Sequence, residues 1–438
     1  MKPLFIISSP FDTYSGYGAR ARDVIKAIVE SDKYNVKLLS QRWGNTPFGF
    51  CEENPKWSFL LDLVIPNLTQ QPDIWAQITV PNEFQAVGKY NIGFTAGMET
   101  TLVAGTWVEG VNRMDITFVS SEHSKQTFLN SVFQKQDNHR NLIGEVKVEK
   151  PIEVLFEGAD LSTYFEMNNK QLLAKQDVSL VKSLNEIPED FCYLFVGHWM
   201  QGNFGEDRKN VGLLVKAFYE TFKNKKKQPA LILKTSQVSS SYMDRDEVLK
   251  KLDAIRKSIN SKNLPNIYLL SGEFSDSEMN LLYNHPKVKA MVSLTKGEGF
   301  GRPLLEFSLT NKPIIVSGWS GHMDFLDPNF VVTIGGRLTN VHPSAAVKDM
   351  ILTESQWFTP SHTEVNTAFT QMFQNYKNFA SGAKRQAYKS KNQFSWENMK
   401  SVLNNKLTEL IPDFPKQVEL KLPKLNLPTL NTSKIEKK

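Results

Sequence analysis

Short apolar runs rich in β-branched and aromatic residues alternate with amphipathic stretches along most of this chain, and the alternation happens twice. The first series is "LFIIS" at 4–8, "NVKLL" at 35–39, "DIWAQITV" at 73–80, "NIGFTA" at 91–96, "ITFVS" at 116–120 and "IEVLF" at 152–156. A second series opens with "CYLFVG" at 192–197 and continues through "ALILKT" at 230–235, "NIYLLS" at 266–271, "VKAMVSL" at 288–294, "PIIVS" at 313–317 and "FVVTI" at 330–334. Between strands, 209–224 and 245–260 carry apolar residues at helical spacing, so the crossovers read as helices. Strand and helix in alternation build a parallel sheet covered on both faces. The reading is α/β: two Rossmann-like, doubly wound domains facing a central cleft.

The expected boundaries are 1–165 for the first domain, a linker at 166–190, a second domain at 191–383, a helical segment at 384–411 crossing back, and an extended tail at 412–438. With 438 residues there is chain enough for two cores. The net charge is +6, but residues 415–438 hold six lysines against two glutamates, contributing +4. The body is nearly neutral, which argues against a broad basic face for duplex nucleic acid and leaves nucleic acid a weakly supported partner. No run approaches about 18 apolar residues, so no membrane span is expected. Cys51 and Cys192 stand alone without metal-ligand spacing, and a reducing cytoplasm, a host's if the source is viral, is the expected location. The tail repeats Leu-Pro-x-Leu-Asn from Leu422 and again from Leu427. It reads as an extended segment, with docking to a protein partner as the sharper alternative.

In doubly wound sheets ligands sit beyond the carboxyl ends of the strands, which directs attention to "SLTKGEGFGRPLLE" at 293–306. Gly297, Gly299 and Gly301 permit close backbone approach, and Pro303 suits the first turn of a helix expected to end near Asn311. Free N–H groups at that start favour an anion such as phosphate. Glu306 lies one turn into the helix, where side chains lean back toward the N-terminus, so its carboxylate can face the loop that holds Glu298. Each carboxylate suits vicinal hydroxyls. Phosphate flanked by two hydroxyl-bearing sugars would use the whole stretch: the ligand expected is a nucleotide sugar. The plainer readings are a solvated loop charge for Glu298 and a helix-capping glutamate for Glu306, the latter lacking a Ser or Thr partner because Pro303 stands three residues earlier.

"GEGFGRPLLEFSLTNKPIIVSGWSGHMDFL" resembles the E-x7-E region of retaining glycosyltransferases of the GT-B fold, especially family four. "SGYGARARDVIKAI" resembles the glycine-rich loop and first helix of their acceptor-side domain, and "YLFVGHWMQGNFGEDRKNVGLLVKAF" the opening of their donor domain. The likeness covers most of the chain and extends to glycosyltransferases encoded by tailed bacteriophages.

The resemblance implies a hexosyltransferase-like enzyme that moves a sugar from a nucleotide donor to a hydroxyl acceptor with retention of configuration. It implies no cofactor beyond the donor as substrate, and no metal. By the same resemblance Glu298 meets the transferred sugar and Glu306 the ribose, while Gly299, Phe300, Gly301 and Arg302 lie along sugar and diphosphate. Lys209 takes the place of the family's phosphate-binding lysine, supported by Arg208, and a cation there would stabilise the leaving diphosphate. Gly16 and Gly18 would bring the first loop close to donor or acceptor, with an ordinary strand-to-helix turn as the competing reading. Two departures stand out: His198 occupies a place where the family often carries arginine, and Glu99 is the nearest polar group where many relatives have histidine. Asp244 and Asp246 mimic a metal-binding D-x-D but begin a helix, where Asp is a common cap, so no metal is assigned. His123 and His322 receive no catalytic role. The alternatives are a phage enzyme that glycosylates nucleic-acid bases, and a non-catalytic nucleotide-sugar-binding or structural protein on the same fold.

Overall fold

The computed structural model describes residues 2–136, 139, 141–237 and 241–414. The tail expected at 412–438 therefore lies, from residue 415 onward, outside the described residues.

The first domain is built on β1 (Leu4–Ser9), β2 (Asn35–Ser40), β3 (Ile74–Ile78), β4 (Tyr90–Phe94) and β5 (Ile116–Val119). A hairpin, β6 (Phe133–Gln136) and β7 (Leu142–Val146), intervenes before the last sheet strand, β8 (Ile152–Val154). The strands pair in parallel in the order β2-β1-β3-β4-β5-β8. The second domain repeats the plan with β9 (Cys192–Val196), β10 (Ala230–Lys234), β11 (Ile267–Leu270), β12 (Val288–Ser293), β13 (Ile314–Ser317) and β14 (Val332–Ile334), again parallel, in the order β11-β10-β9-β12-β13-β14. A second hairpin, β15 (Gly336–Asn340) with β16 (Gln356–Pro360), follows.

Helices on both faces explain why the strands read as continuous apolar runs: all five residues of β3 are buried. The helix Val211–Phe222 shows the complementary pattern, burying Leu214, Val215, Phe218 and Phe222 against β9 and β10. Strand order reverses beside β1 in the first sheet and beside β9 in the second, so the loops leaving β1, β9 and β12 converge on the cleft.

Residues 166–190, expected as a linker, contain the helices Asn169–Leu173 and Ser179–Asn185. Leu180, Leu184 and Ile187 join the core beneath β9 and β12, so this passage packs as part of the second domain. At the other end, the chain forms the helices Ala380–Gln393 and Trp396–Leu410. The latter buries Trp396, Met399, Leu403 and Leu407 in the core of the first domain, against the helix Gly16–Glu30. Burial of such side chains contributes about 1.5–3 kcal/mol each, which makes this helix a strap across the two domains. No helix among the described residues is long and apolar enough to cross a membrane.

Candidate active site

The loop after β12 is where the two domains meet. A Cβ on Gly297 would lie 1.9 Å from the carbonyl oxygen of Glu99, and one on Gly299 would lie 2.3 Å from that of Ala96. Both neighbours belong to the loop after β4, on the opposite domain. Glycine is thus demanded at these two positions by backbone from across the cleft, where the sequence pointed to close approach of a ligand. The Ser120 hydroxyl sits between the carbonyls of Ala96 and Gly299, 3.0 Å from the latter, with a single proton to share between them. Gly301 adopts φ 98° as it leads into the helix Arg302–Ser308, with Pro303 in the first turn as expected. The helix stops at Ser308, ahead of Asn311, which turns the chain at φ 59°. Phe300 sends its ring into the core against Phe325, leaving only its backbone to the cleft.

The loop after β9 brings Arg208 and Lys209 to Glu298. The Lys209 ammonium donates to Glu298 Oε1 at 2.5 Å, and Arg208 Nη1 lies 3.5 Å from Oε2. Arg208 Nη1 also donates to the Gly297 carbonyl at 3.1 Å and pairs with Glu99 Oε1 at 3.2 Å, tying the domains together. Burial works against a charge on Glu298, but Lys209 and Arg208 outweigh it and hold the carboxyl down to about 2. The Glu298 peptide is itself pinned: its N–H donates to Ser320 Oγ at 2.9 Å and its carbonyl accepts from Gly321 N–H at 3.0 Å. Behind Ser320, His322 is fully buried and donates from Nε2 to the Ser317 carbonyl at 2.7 Å.

Glu306 occupies a different setting. Its carboxylate accepts from Arg302 Nε at 2.9 Å and from the Tyr283 hydroxyl at 3.3 Å. Burial dominates, pushing the carboxyl up to about 7 although Arg302 and Tyr283 pull the other way. Arg302 reaches across the cleft to Asp23 Oδ2 at 2.6 Å. Beside this pair lies a cavity of about 440 Å³ between the domains, lined among others by Tyr14, Gly16, Asp23, Trp57, Phe274 and Glu306. The structure therefore gathers Lys209, Arg208 and Glu298 into one buried ion cluster, and Arg302, Glu306 and Gly16 around one cavity.

The remaining positions sort by their contacts. A Cβ on Gly16 would meet nothing within 4 Å, whereas one on Gly18 would lie 2.4 Å from the Thr13 carbonyl. Gly16 leaves room in the cavity; Gly18 is required by its own turn. Arg20 and Arg22 spend their guanidinium groups on main-chain carbonyls, Arg20 on Leu155 and Phe156, Arg22 on Phe11 and Thr13. His198 contacts Ser236 Oγ at 3.1 Å. Asp244 and Asp246 lie in the first turns of the helix Tyr242–Ser258, whose N-cap is Ser241. Among the described residues no group of three or more His, Cys, Asp or Glu side chains is arranged to hold a metal ion. Asp23, Tyr283 and Ser320 escaped the sequence reading, and little could have exposed them: Asp23 is 279 residues from its partner Arg302.

Two facing Rossmann-like domains with a cleft at their switch points define the GT-B architecture. Solved structures share it across most of the chain. Anabaena HepE in complex with UDP-glucose aligns with TM-score 0.60 at 12% identity, covering 93% of this chain and 100% of that one. Sucrose-phosphate synthase from Thermosynechococcus elongatus aligns at 0.61 and 12%, covering 94% and 99%. A glycosyltransferase from Rickettsia africae aligns at 0.61 and 12%, covering 94% and 100%. No family model and no curated protein matches the chain.

Proposed function

We propose that this protein is a glycosyltransferase that moves a sugar from a nucleoside diphosphate donor to a hydroxyl acceptor. The observation that carries the proposal is the convergence of Lys209 and Arg208 on Glu298 at one end of the cleft, with Glu306 facing a cavity at the other. The fold supports it, since HepE binds UDP-glucose on the same architecture. In this reading the ribose hydroxyls donate to Glu306, and the diphosphate draws Lys209 and Arg208 toward itself. Glu298, released from part of its pairing, accepts from hydroxyls of the transferred sugar.

The family-four resemblance assigns retention of configuration to the reaction. The bond from the anomeric carbon to the β-phosphate oxygen breaks, and the acceptor oxygen bonds to that carbon on the same face. Its proton passes to the departing phosphate, and nucleoside diphosphate leaves. The cations supply what this step most needs, compensation of the charge that develops on the leaving group in a site screened from water.

The test is thermal stabilisation of the purified chain by UDP-glucose, GDP-mannose, ADP-glucose and dTDP-glucose, followed by hydrolysis of any that bind, with Glu306→Ala as control. A selective shift that the variant loses supports the assignment. No shift with any of the four would favour a protein that keeps the fold without its donor site.

A further inference from the structure

We infer that Ser320 is a positioning residue whose hydroxyl fixes the backbone of Glu298. The inference rests on the role proposed above for Glu298. Ser320 sits at φ 83° and ψ −167°, a region that is essentially glycine's alone. Glycine would relieve that strain, and the same loop uses it at Gly318 and Gly321. The serine side chain must therefore contribute something that outweighs its backbone cost.

Its contacts say what that is. Ser320 is 6% exposed, and its Oγ accepts the N–H of Glu298 at 2.9 Å. The next residue, Gly321, returns a hydrogen bond to the Glu298 carbonyl, so the whole peptide of Glu298 is held from one loop. The direction of the hydroxyl proton is set from behind. His322 Nε2 donates to the Ser317 carbonyl, which leaves Nδ1, 3.4 Å from Ser320 Oγ, as an acceptor. The hydroxyl proton points to His322, and its lone pair points to Glu298.

The loop is anchored in turn by the first domain. A Cβ on Gly321 would lie 2.7 Å from Ser121 Oγ, and Asp324 accepts the Glu122 N–H at 2.7 Å. His123 packs edge-on against Trp319. Contact between the domains thus braces the loop that places Glu298, whose carboxylate must swing between two cations and a sugar while its backbone stays still.

Ser320→Ala and Ser320→Gly separate the hydroxyl from the strain. Both lack the hydroxyl, but only alanine keeps the unfavourable backbone, so the glycine variant should have the higher Tm. Their kcat should nevertheless fall together, about 10- to 100-fold, with donor KM within about twofold of the parent. Turnover is measured as hydrolysis of the one of the four nucleotide sugars named above that binds, well below either Tm, with Glu298→Gln alongside. Glycine-variant turnover at the parent level, with Glu298→Gln inactive, would overturn this inference alone. Full turnover by Glu298→Gln would overturn the functional reading and this inference with it.

Discussion

Glu298 and Glu306 are the same residue type, belong to the same loop and helix, and are each 6% exposed, yet the protein drives their carboxyls in opposite directions. Glu298 is held down to about 2 by Lys209 and Arg208, while Glu306 is pushed up to about 7 because burial, reinforced by the charge of Asp276, outweighs one guanidinium shared with Asp23. Burial alone does not decide the state of a carboxyl; the balance of charges around it does. The contrast also separates two tasks. In the proposed function, an ionised Glu298 would hold cations ready for phosphate, whereas a carboxyl close to neutrality would gain its charge more fully once hydroxyl donors arrive.

The strongest way to break the comparison is to remove the cation. Lys209→Ala should lower turnover by about 10²–10³-fold, as loss of a group that meets developing charge does. It should also cost about 3–5 kcal/mol of stability, because a buried carboxylate loses its closest partner. Denaturant unfolding checks the second figure. The double variant Lys209→Ala/Glu298→Ala should recover much of the stability and none of the turnover, and a double variant no more stable than Lys209→Ala would contradict the pairing.

The two carboxyls make opposite pH signatures. Glu306 binds its proton more tightly folded than unfolded, so its contribution to stability is full below pH 4.5 and is lost as pH rises through about 7, a change of about 3 kcal/mol. Glu298 contributes above 4.5 and loses that contribution as pH falls toward 2. Burial holds His123, His198, His285 and His322 below the usual imidazole range, which raises stability over part of the same interval, so the comparison is with the variant: the stability of the parent relative to Glu306→Gln should fall between pH 5 and pH 8, and a difference flat across that range would refute the raised value. Donor affinity in the parent should rise over the same interval.

Asp23→Asn sharpens the comparison more gently. Arg302 would keep Glu306 and lose its tie to the first domain, so donor KM should rise about tenfold with kcat within about twofold. An unchanged KM would mean that the tie does not organise the donor site. The smallest effect is expected from Gly16→Ala. Its new methyl meets no protein atom within 4 Å, so stability should change by less than about 0.5 kcal/mol, and a donor affinity as good as the parent's would remove Gly16 from the cavity's working surface.

Much of this was legible in the chain. Buried parallel strands need uninterrupted apolar runs, so β3 and β10 announce themselves, and the glycine-rich loop with Pro303 marks a helix start wherever it falls. The two glutamates were visible because their spacing along one loop and helix is local information, whereas Arg208 and Lys209, 90 and 89 residues from Glu298, were named only through the family resemblance. The passage 166–190 was not, because its polar composition hides three apolar residues that matter only once the second core exists to receive them. Ser320 was equally hidden: a serine at a glycine's backbone angles has no signature in sequence.

What the sequence determined by itself, then, was the two-domain α/β plan and the glycine-rich loop with its two glutamates, since both follow from periodicity and from chemistry close along the chain. Only the tertiary structure decided which carboxyl is ionised, that Gly297 and Gly299 serve the facing domain's backbone, and that Arg302 and Asp23 join across the cleft. Those outcomes depend on groups far apart in the chain and on the water excluded between them, and neither is written in local sequence.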